Sequence, residues 1–294
     1  MEFLFYGLLG LIIGSFLNVL ILRHGVRALG GRSACMSCGR EIAWFDLIPV
    51  WSWIALRGRC RHCHTRISLQ YPLVEGATAL LFVAIGVSPI ALSLKMLALP
   101  VAALFVAIAV YDLYYTIIPD AWAYTCAVLS LAAMVVALQG SGDPYTFAVA
   151  FFAGPLAASP LAALWLVSGG RWMGLGDAKL ALSIGWLLGP FSGVGAVFFA
   201  FILGAVVSVP LLALSSPSCR RVISGFTRTL TLASLRSVFG QPPSTFAHQK
   251  TMPKLVFGFT MQSEVPFGPF LIASCFFLWI LQLYGIPIPL VTFL

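Results

Sequence analysis

The chain has 294 residues, of which 60% are hydrophobic and 9% are charged, and its mean hydropathy is +0.99. Soluble domains carry about 25% charged residues, so this composition excludes a soluble enzyme, a secreted disulfide scaffold and a disordered chain, and it predicts an all-α polytopic membrane protein. The net charge of +8 does not indicate a nucleic-acid partner, because in a membrane protein the position of the basic residues matters more than their number.

Eight apolar stretches approach the length of about 20 residues that a helix needs to cross a bilayer. They are 3–22, 72–88, 90–111, 119–139, 146–168, 178–189, 192–214 and 266–285. The first is expected to stay in the mature protein, since it has no basic leader and no signal-peptide cleavage site. The stretch 178–189 is the shortest, and it spans only if its helix continues past Gly189 and Pro190.

Basic residues predict the orientation of these spans. Threading the chain through all eight puts one set of loops on one side, namely 23–71, 112–118, 169–177 and 215–265. Every Lys and Arg except Lys95 and Lys179 falls on that side. By the positive-inside rule this side faces the cytoplasm, which predicts a multi-pass membrane protein with these loops in the cytoplasm.

The first predicted span carries Gly10, Gly14 and Asn18. Two small residues four positions apart are typical of close helix packing. Gly14 therefore has two interpretations, a packing role and a binding role. Asn18, and Glu75 at the start of the second span, are polar groups beside apolar stretches, and they indicate a site or a buried hydrogen-bonded pair.

The first cytoplasmic loop contains Cys35-x-x-Cys38 and Cys60-x-x-Cys63, separated by 21 residues. Two such hooks supply four thiolates and favour tetrahedral zinc, whereas disulfides are disfavoured in a reducing cytosol. His62 and His64 are alternative ligands, although solvated side chains are the simpler interpretation. Four protein ligands leave no position for a reactive water, so this zinc is expected to be structural.

Two carboxylates are predicted at one membrane face. Asp112 ends one span and Asp177 follows the turn Gly174-Leu175-Gly176, and 64 residues lie between them. Close carboxylates share a proton, so that one activates water while the other protonates a leaving group, as in aspartic peptidases. The two glycines would let an extended peptide backbone approach Asp177.

Both assignments have structural alternatives. Asp177 is also a suitable N-cap for a helix that starts at Ala178. Asp120 competes with Asp112, but it follows Pro119 in the first turn of a helix, where a carboxylate is favoured for electrostatic reasons. Asp112, near a helix C-terminus, has no such structural role, and we therefore favour it as the partner of Asp177.

Several motifs in order resemble the type IV prepilin peptidases, and together they cover most of the chain. They are Gly10-x3-Gly14-Ser-Phe-Leu-Asn18-Val followed by Arg23, the two cysteine hooks around Trp44-Phe-Asp-Leu-Ile-Pro49, Tyr71-Pro-Leu-Val-Glu75, Asp112-x6-Pro119-Asp120, Gly174-Leu-Gly-Asp177-Ala-Lys179, and Pro266-Phe-Gly-Pro-Phe270.

The resemblance implies a GxGD-type aspartic endopeptidase with Asp112 and Asp177 as its catalytic pair. Its substrates would be type IV prepilins or type II secretion pseudopilins. The resemblance alone implies N-methylation of the new N-terminus with S-adenosylmethionine. We place the methyl-donor site around Gly14, Asn18, Arg23 and Glu75.

The implied organisation is a methyltransferase-associated region at 1–88 and a peptidase domain at 89–294. The segment 215–265 is longer than is usual in the family, and it is interpreted as a cytoplasmic insertion or a docking element. Two other functions remain open, a polytopic transporter and a pilus-assembly scaffold without catalysis. No inverted repeat supports the transporter, and the oligomeric state is left open.

Overall fold

A computed structural model describes residues 1–25, 30–139, 143–215 and 266–286. Within these residues the regular structure is helical, with a 3-10 turn at Trp44–Leu47, two isolated β-bridges and non-helical loops between the helices. The α-helices are α1 (Glu2–Arg23), α2 (Trp51–Ala55), α3 (Gln70–Val87), α4 (Leu92–Tyr115), α5 (Asp120–Ala137), α6 (Pro144–Ser168), α7 (Leu175–Leu188), α8 (Pro190–Ser215) and α9 (Gly268–Leu283).

Each of the eight predicted spans corresponds to one helix. Six of these, α1, α3, α4, α5, α6 and α8, are long and apolar enough to cross a membrane. α9 is apolar but has 16 residues, and α7 has 14. The prediction of a multi-pass, all-α membrane protein is confirmed.

The stretch around residues 178–189 does not continue as one helix. α7 ends at Leu188, Gly189 has a φ of +85°, and Pro190 begins α8. Only glycine adopts this conformation readily, and proline suits the first position of the following helix. At about 1.5 Å per residue α7 is about 21 Å long, which is shorter than the hydrocarbon core.

The chain divides into two compact units. One, here called the aspartate unit, comprises Met1–Leu4, Leu81–Ser208 and Glu264–Leu294. The other, the cysteine unit, comprises, among the described residues, Phe5–Leu80 and the end of α8 from Val209. The organisation into 1–88 and 89–294 stays a prediction, and the predicted insertion at 215–265 lies, apart from its first residue, outside the described residues.

Small residues bring the helices of the aspartate unit close together. A Cβ at Gly185 of α7 would clash with the backbone of Ala153 in α6, and one at Gly193 of α8 would lie 2.8 Å from the Cα of Gly185. Trp186 extends from α7 over Gly154 and donates a 2.8 Å hydrogen bond from Nε1 to the carbonyl of Phe151. Such contacts stabilise helix pairs in lipid, where hydrophobic association is weak.

Candidate active site and metal centre

Asp112 lies in the last turn of α4 and is only 4% exposed. Its carboxylate Oδ2 accepts a 3.1 Å hydrogen bond from the backbone N–H of Gly268. Gly268 is the first residue of α9, and the N-terminus of a helix carries partial positive charge. The backbone of α9 therefore holds this buried carboxyl group in place.

Asp177 lies in the first turn of α7 and is 9% exposed. The helix begins at Leu175, three residues earlier than the N-cap alternative required, and its N-cap is Gly174. The interpretation of Asp177 as the N-cap is therefore wrong. A Cβ at Gly176 would lie 3.1 Å from the Cβ of Ile118, so this glycine permits close packing of the segment between α4 and α5.

The two carboxyl groups belong to the same packed neighbourhood. Ile118 lies against Gly176, which precedes Asp177, and also against Gly268, which binds Asp112. The structure thus brings together, in the aspartate unit, two buried acids that are far apart in sequence.

Asp120 has a different environment. Its side chain is 66% exposed, and its Oδ1 lies 2.7 Å from the Nζ of Lys179. The same ammonium group lies 5.1 Å from the centroid of the Tyr124 ring. Asp120 therefore takes part in a surface ion pair at the start of α5, whereas Asp112 is buried.

The four hook cysteines converge on one point in the cysteine unit. The sulfurs of Cys35, Cys38, Cys60 and Cys63 all lie within 4.8 Å of one another, and those of Cys35 and Cys63 are 3.7 Å apart. A tetrahedral zinc with Zn–S bonds of about 2.3 Å requires sulfur separations of about 3.8 Å. The donor set and its spacing fit zinc, and no disulfide forms among the described cysteines.

The two hooks have the same backbone construction. A β-bridge flanks each one, Ala34 with Glu41 and Arg59 with Arg66. In each hook the residue after the second cysteine has a positive φ, +70° at Gly39 and 55° at His64. This repeated turn directs both thiols of a hook to the same side.

Neither histidine belongs to the metal cluster. The Nδ1 of His62 lies 3.2 Å from a guanidinium nitrogen of Arg40, and His64 is exposed. Burial raises the pKa of Cys35 to about 11, whereas hydrogen bonding with Thr65 lowers the pKa of Cys63 to about 6.

Three of the four predicted methyl-donor residues lie where α1 meets α3. A Cβ at Gly14 would lie 2.7 Å from the Cα of Glu75, so Gly14 has the packing role that the sequence left open. Asn18 is buried and donates hydrogen bonds to the carbonyls of Gly14 (3.3 Å) and Tyr71 (3.2 Å). Glu75 is 6% exposed, and its Oε2 accepts a 2.7 Å hydrogen bond from the N–H of Val50.

Arg23, the fourth predicted residue, ends α1 and binds the start of the cysteine loop. Its guanidinium donates hydrogen bonds to the carbonyls of Gly30 (2.7 Å) and Arg32 (3.3 Å). It therefore orients the loop that leads to the first hook. A part for any of these four residues in methyl-donor binding stays a prediction.

Two contacts could not be read from the sequence. The motif around Gly268 was noted, but nothing in it showed that its N–H would meet Asp112, 156 positions away. Val50 has a φ of 60°, which is rare for a β-branched residue, and its N–H points to Glu75. The available signal was a glycine at a helix start in the first case and a carboxylate in an apolar span in the second.

Two family models match the chain in succession. The model for the bacterial peptidase A24 N-terminal domain matches residues 8–88, and the model for the type IV leader peptidase family matches residues 99–209. The second match contains both buried aspartates, and the first contains all four hook cysteines. No solved structure matches the chain significantly.

Curated relatives named prepilin leader peptidase/N-methyltransferase agree with these models. The protein of Myxococcus xanthus is 35% identical over 220 residues, which cover 71% of this chain and 62% of that relative. The protein of Pectobacterium carotovorum is 34% identical, covering 69% of this chain and 81% of the relative, and that of Bacillus subtilis is 32% identical, covering 67% and 78%. With its buried aspartate pair and its four-cysteine cluster, this chain belongs to the type IV leader peptidase family.

Proposed function

We propose that this protein is an aspartic endopeptidase that removes the leader from type IV prepilins or type II secretion pseudopilins. The observation that carries the proposal is the pair Asp112 and Asp177, two buried carboxyl groups whose neighbours Gly268 and Gly176 both lie against Ile118 in one helical unit. Such a pair cannot easily hold two negative charges, so it shares one proton.

This sharing gives each aspartate a role in cutting a peptide bond. The ionised carboxylate takes a proton from water as the water oxygen attacks the scissile carbonyl, while the protonated partner donates its proton to the carbonyl oxygen. A proton then passes to the amine as the peptide C–N bond breaks and the amine leaves. The N–H of Gly268 hydrogen-bonds to Asp112, and hydrogen bonds to a carboxylate favour its charged form. We therefore assign water activation to Asp112 and proton donation to Asp177.

The location suits a substrate with a basic leader followed by an apolar helix. Asp112 lies at the C-terminal end of one apolar helix and Asp177 in the first turn of another, so both lie near a boundary of the apolar layer. We propose that this boundary is the cytoplasmic face of the inner membrane, since the predicted loops on that side carry nearly all the basic residues.

We also propose that the chain methylates the newly exposed N-terminus with S-adenosylmethionine, as the names of its relatives suggest. The buried Glu75 would offer negative charge to a cationic donor, and Asn18 would fix the contact between α1 and α3 around it. Gly14 permits the close approach of these helices, and Arg23 orients the cysteine loop. Zinc would stabilise that loop without taking part in the chemistry.

Expression of the full chain with a prepilin in membranes tests the peptidase proposal. We expect the wild type to remove the leader and Asp112→Asn and Asp177→Asn to abolish removal while retaining methylation of a pilin supplied without its leader. Cleavage by both variants would reject the aspartate pair. A wild type that cleaves nothing would instead favour the transporter or the pilus-assembly scaffold.

A further inference from the structure

The loop that carries the zinc hooks exposes an unusual number of large apolar side chains. Trp44 is 79% exposed, Trp51 is 68% exposed and Ile54 is 57% exposed. Trp51 and Ile54 are three residues apart on the short helix α2 and therefore lie on the same side of it. Exposed apolar patches of this kind usually mark an interaction surface.

Basic side chains adjoin this apolar patch. Arg57, Arg59, Arg61 and His64 line a pocket that begins at the end of α2, beside Ala55 and Leu56. The guanidinium of Arg61 lies 5.2 Å from the centroid of the Phe45 ring, and that ring packs edge-on against Trp44. Together Trp44, Phe45, Trp51, Ile54, Arg57, Arg59 and Arg61 form what we call the Trp–Arg face.

The charge of this loop is not neutralised by its own acids. Residues 30–69 contain six Arg but only Glu41 and Asp46 as acids, which gives a charge of +4. Both acids are already paired, Glu41 with Arg32 at 2.7 Å and Asp46 with Arg61 at 2.6 Å. A zinc tetrathiolate would offset two further positive charges and leave the loop positive.

The position of the loop limits what this face can meet. Both α1, which precedes the loop, and α3, which follows it, are apolar enough to span a membrane. The loop is therefore anchored at both ends at a bilayer surface. Tryptophan prefers the headgroup level of a bilayer, and arginine is attracted to anionic lipids.

We propose that the Trp–Arg face docks on the anionic headgroup region of the bilayer in which the protein is embedded. The aromatic and aliphatic side chains would enter the interface while Arg57 and Arg59 at the pocket bind lipid phosphates. Docking would hold the zinc loop flat against the membrane. The inference does not depend on the proposed peptidase or methyltransferase activity.

Photo-crosslinking of the full chain in lipid nanodiscs tests this proposal. The photoreactive residue p-benzoylphenylalanine replaces Trp51 or, as a control, Met36 of the first hook, which is 59% exposed and lies outside the face. The nanodiscs contain phosphatidylcholine alone or with phosphatidylglycerol. Zinc content of each variant shows whether the loop is folded.

We expect lipid adducts at position 51 to exceed those at position 36 several-fold and to increase with phosphatidylglycerol. The double substitution Arg57→Gln and Arg59→Gln should remove the increase while zinc is retained. Equal adducts at positions 51 and 36, no response to phosphatidylglycerol, or adducts with an added prepilin instead of lipid would overturn the proposal.

Discussion

The contact between Gly268 and Asp112 allows a sharp test of how the buried aspartate is positioned. In Gly268→Ala the new Cβ would lie 2.7 Å from Oδ2 of Asp112 and 3.3 Å from its carboxyl carbon. Ordinary contacts begin at about 3.4 Å, so the carboxyl group must move by roughly half an ångström or more. The substitution retains both aspartates and leaves the charge of the site unchanged.

The expected loss follows from the hydrogen bond that this movement disturbs. Hydrogen bonds to charged groups contribute about 1.5–3 kcal/mol, and each 1.4 kcal/mol changes a rate by about tenfold. If the N–H of Gly268 favours the charged form of Asp112, the variant should cleave prepilin roughly ten- to 150-fold more slowly. We expect the loss mainly in kcat, because the contact is with the carboxyl group that we propose to activate water and not with the leader.

The assay measures leader removal from a prepilin by purified enzyme in lipid. Gly195→Ala is the matched control, because a Cβ at this position of α8 meets no heavy atom within 4 Å. Alanine is also the better helix former, by about 1 kcal/mol. The control should keep full activity, and both variants should methylate a pilin that has already lost its leader.

Wild-type cleavage by a folded Gly268→Ala protein would refute this reasoning. It would mean that the carboxyl group of Asp112 moves without loss of cleavage activity, and that α9 does not position it.

Three further predictions concern other parts of the chain. Asp120→Asn should keep cleavage within about threefold in the same leader-removal assay, since exposed ion pairs contribute only about 0–1 kcal/mol; a loss as large as that of an Asp112 variant would contradict the assignment. Cys60→Ser should lower the amount of bound zinc, measured by elemental analysis. His64→Gly should keep one zinc per chain, because glycine accepts the φ of 55° at that turn. Loss of zinc from the His64 variant would make His64 a ligand. Gly14→Ala should lower the unfolding temperature in detergent, because its Cβ would lie 2.7 Å from α3 backbone, whereas Gly76→Ala, with open space, should not; equal effects would reject the close packing of α1 on α3.

The helices were largely predictable because a segment that crosses the membrane must be apolar and must satisfy its backbone hydrogen bonds within itself. Each apolar stretch of about 20 residues has few alternatives to a helix, so a helix lies at nearly the predicted position of each of the eight stretches, and six of these helices are long enough to span. The main difference is α7. Its N-terminus lies at Leu175 because Gly174 caps the helix, and its C-terminus is fixed by the left-handed Gly189.

The site was predictable where the chemistry of single residues was restrictive. Four cysteines in two hooks have few uses besides one metal, and an aspartate inside an apolar span requires an explanation wherever it occurs. The preference for Asp112 over Asp120 followed from helix electrostatics. The exposed ion pair of Asp120 with Lys179 agrees with that preference, although the catalytic role itself stays a proposal.

Contacts through the backbone could not be predicted. The N–H of Gly268 and that of Val50 each donate a hydrogen bond to a buried carboxylate. Nearly every residue type has a backbone N–H, so the sequence does not indicate which one makes such a contact. Packing of Gly14 on α3 was one of two interpretations, and only the distance to Glu75 favours it. Long-range pairing of this kind depends on how helices pack, which periodicity does not specify.

Crosslinking of residues 112 and 177 tests whether the two aspartates lie side by side. In the full chain in lipid, Asp112→Cys and Asp177→Cys are combined and treated with a short bis-maleimide, and linked peptides are identified by mass spectrometry so that the native cysteines can remain. We expect a link between positions 112 and 177 and none when cysteine at 112 is instead combined with Asp143→Cys beyond the other end of the helices. Absence of the 112–177 link, when both thiols react singly with the reagent, would contradict this expectation.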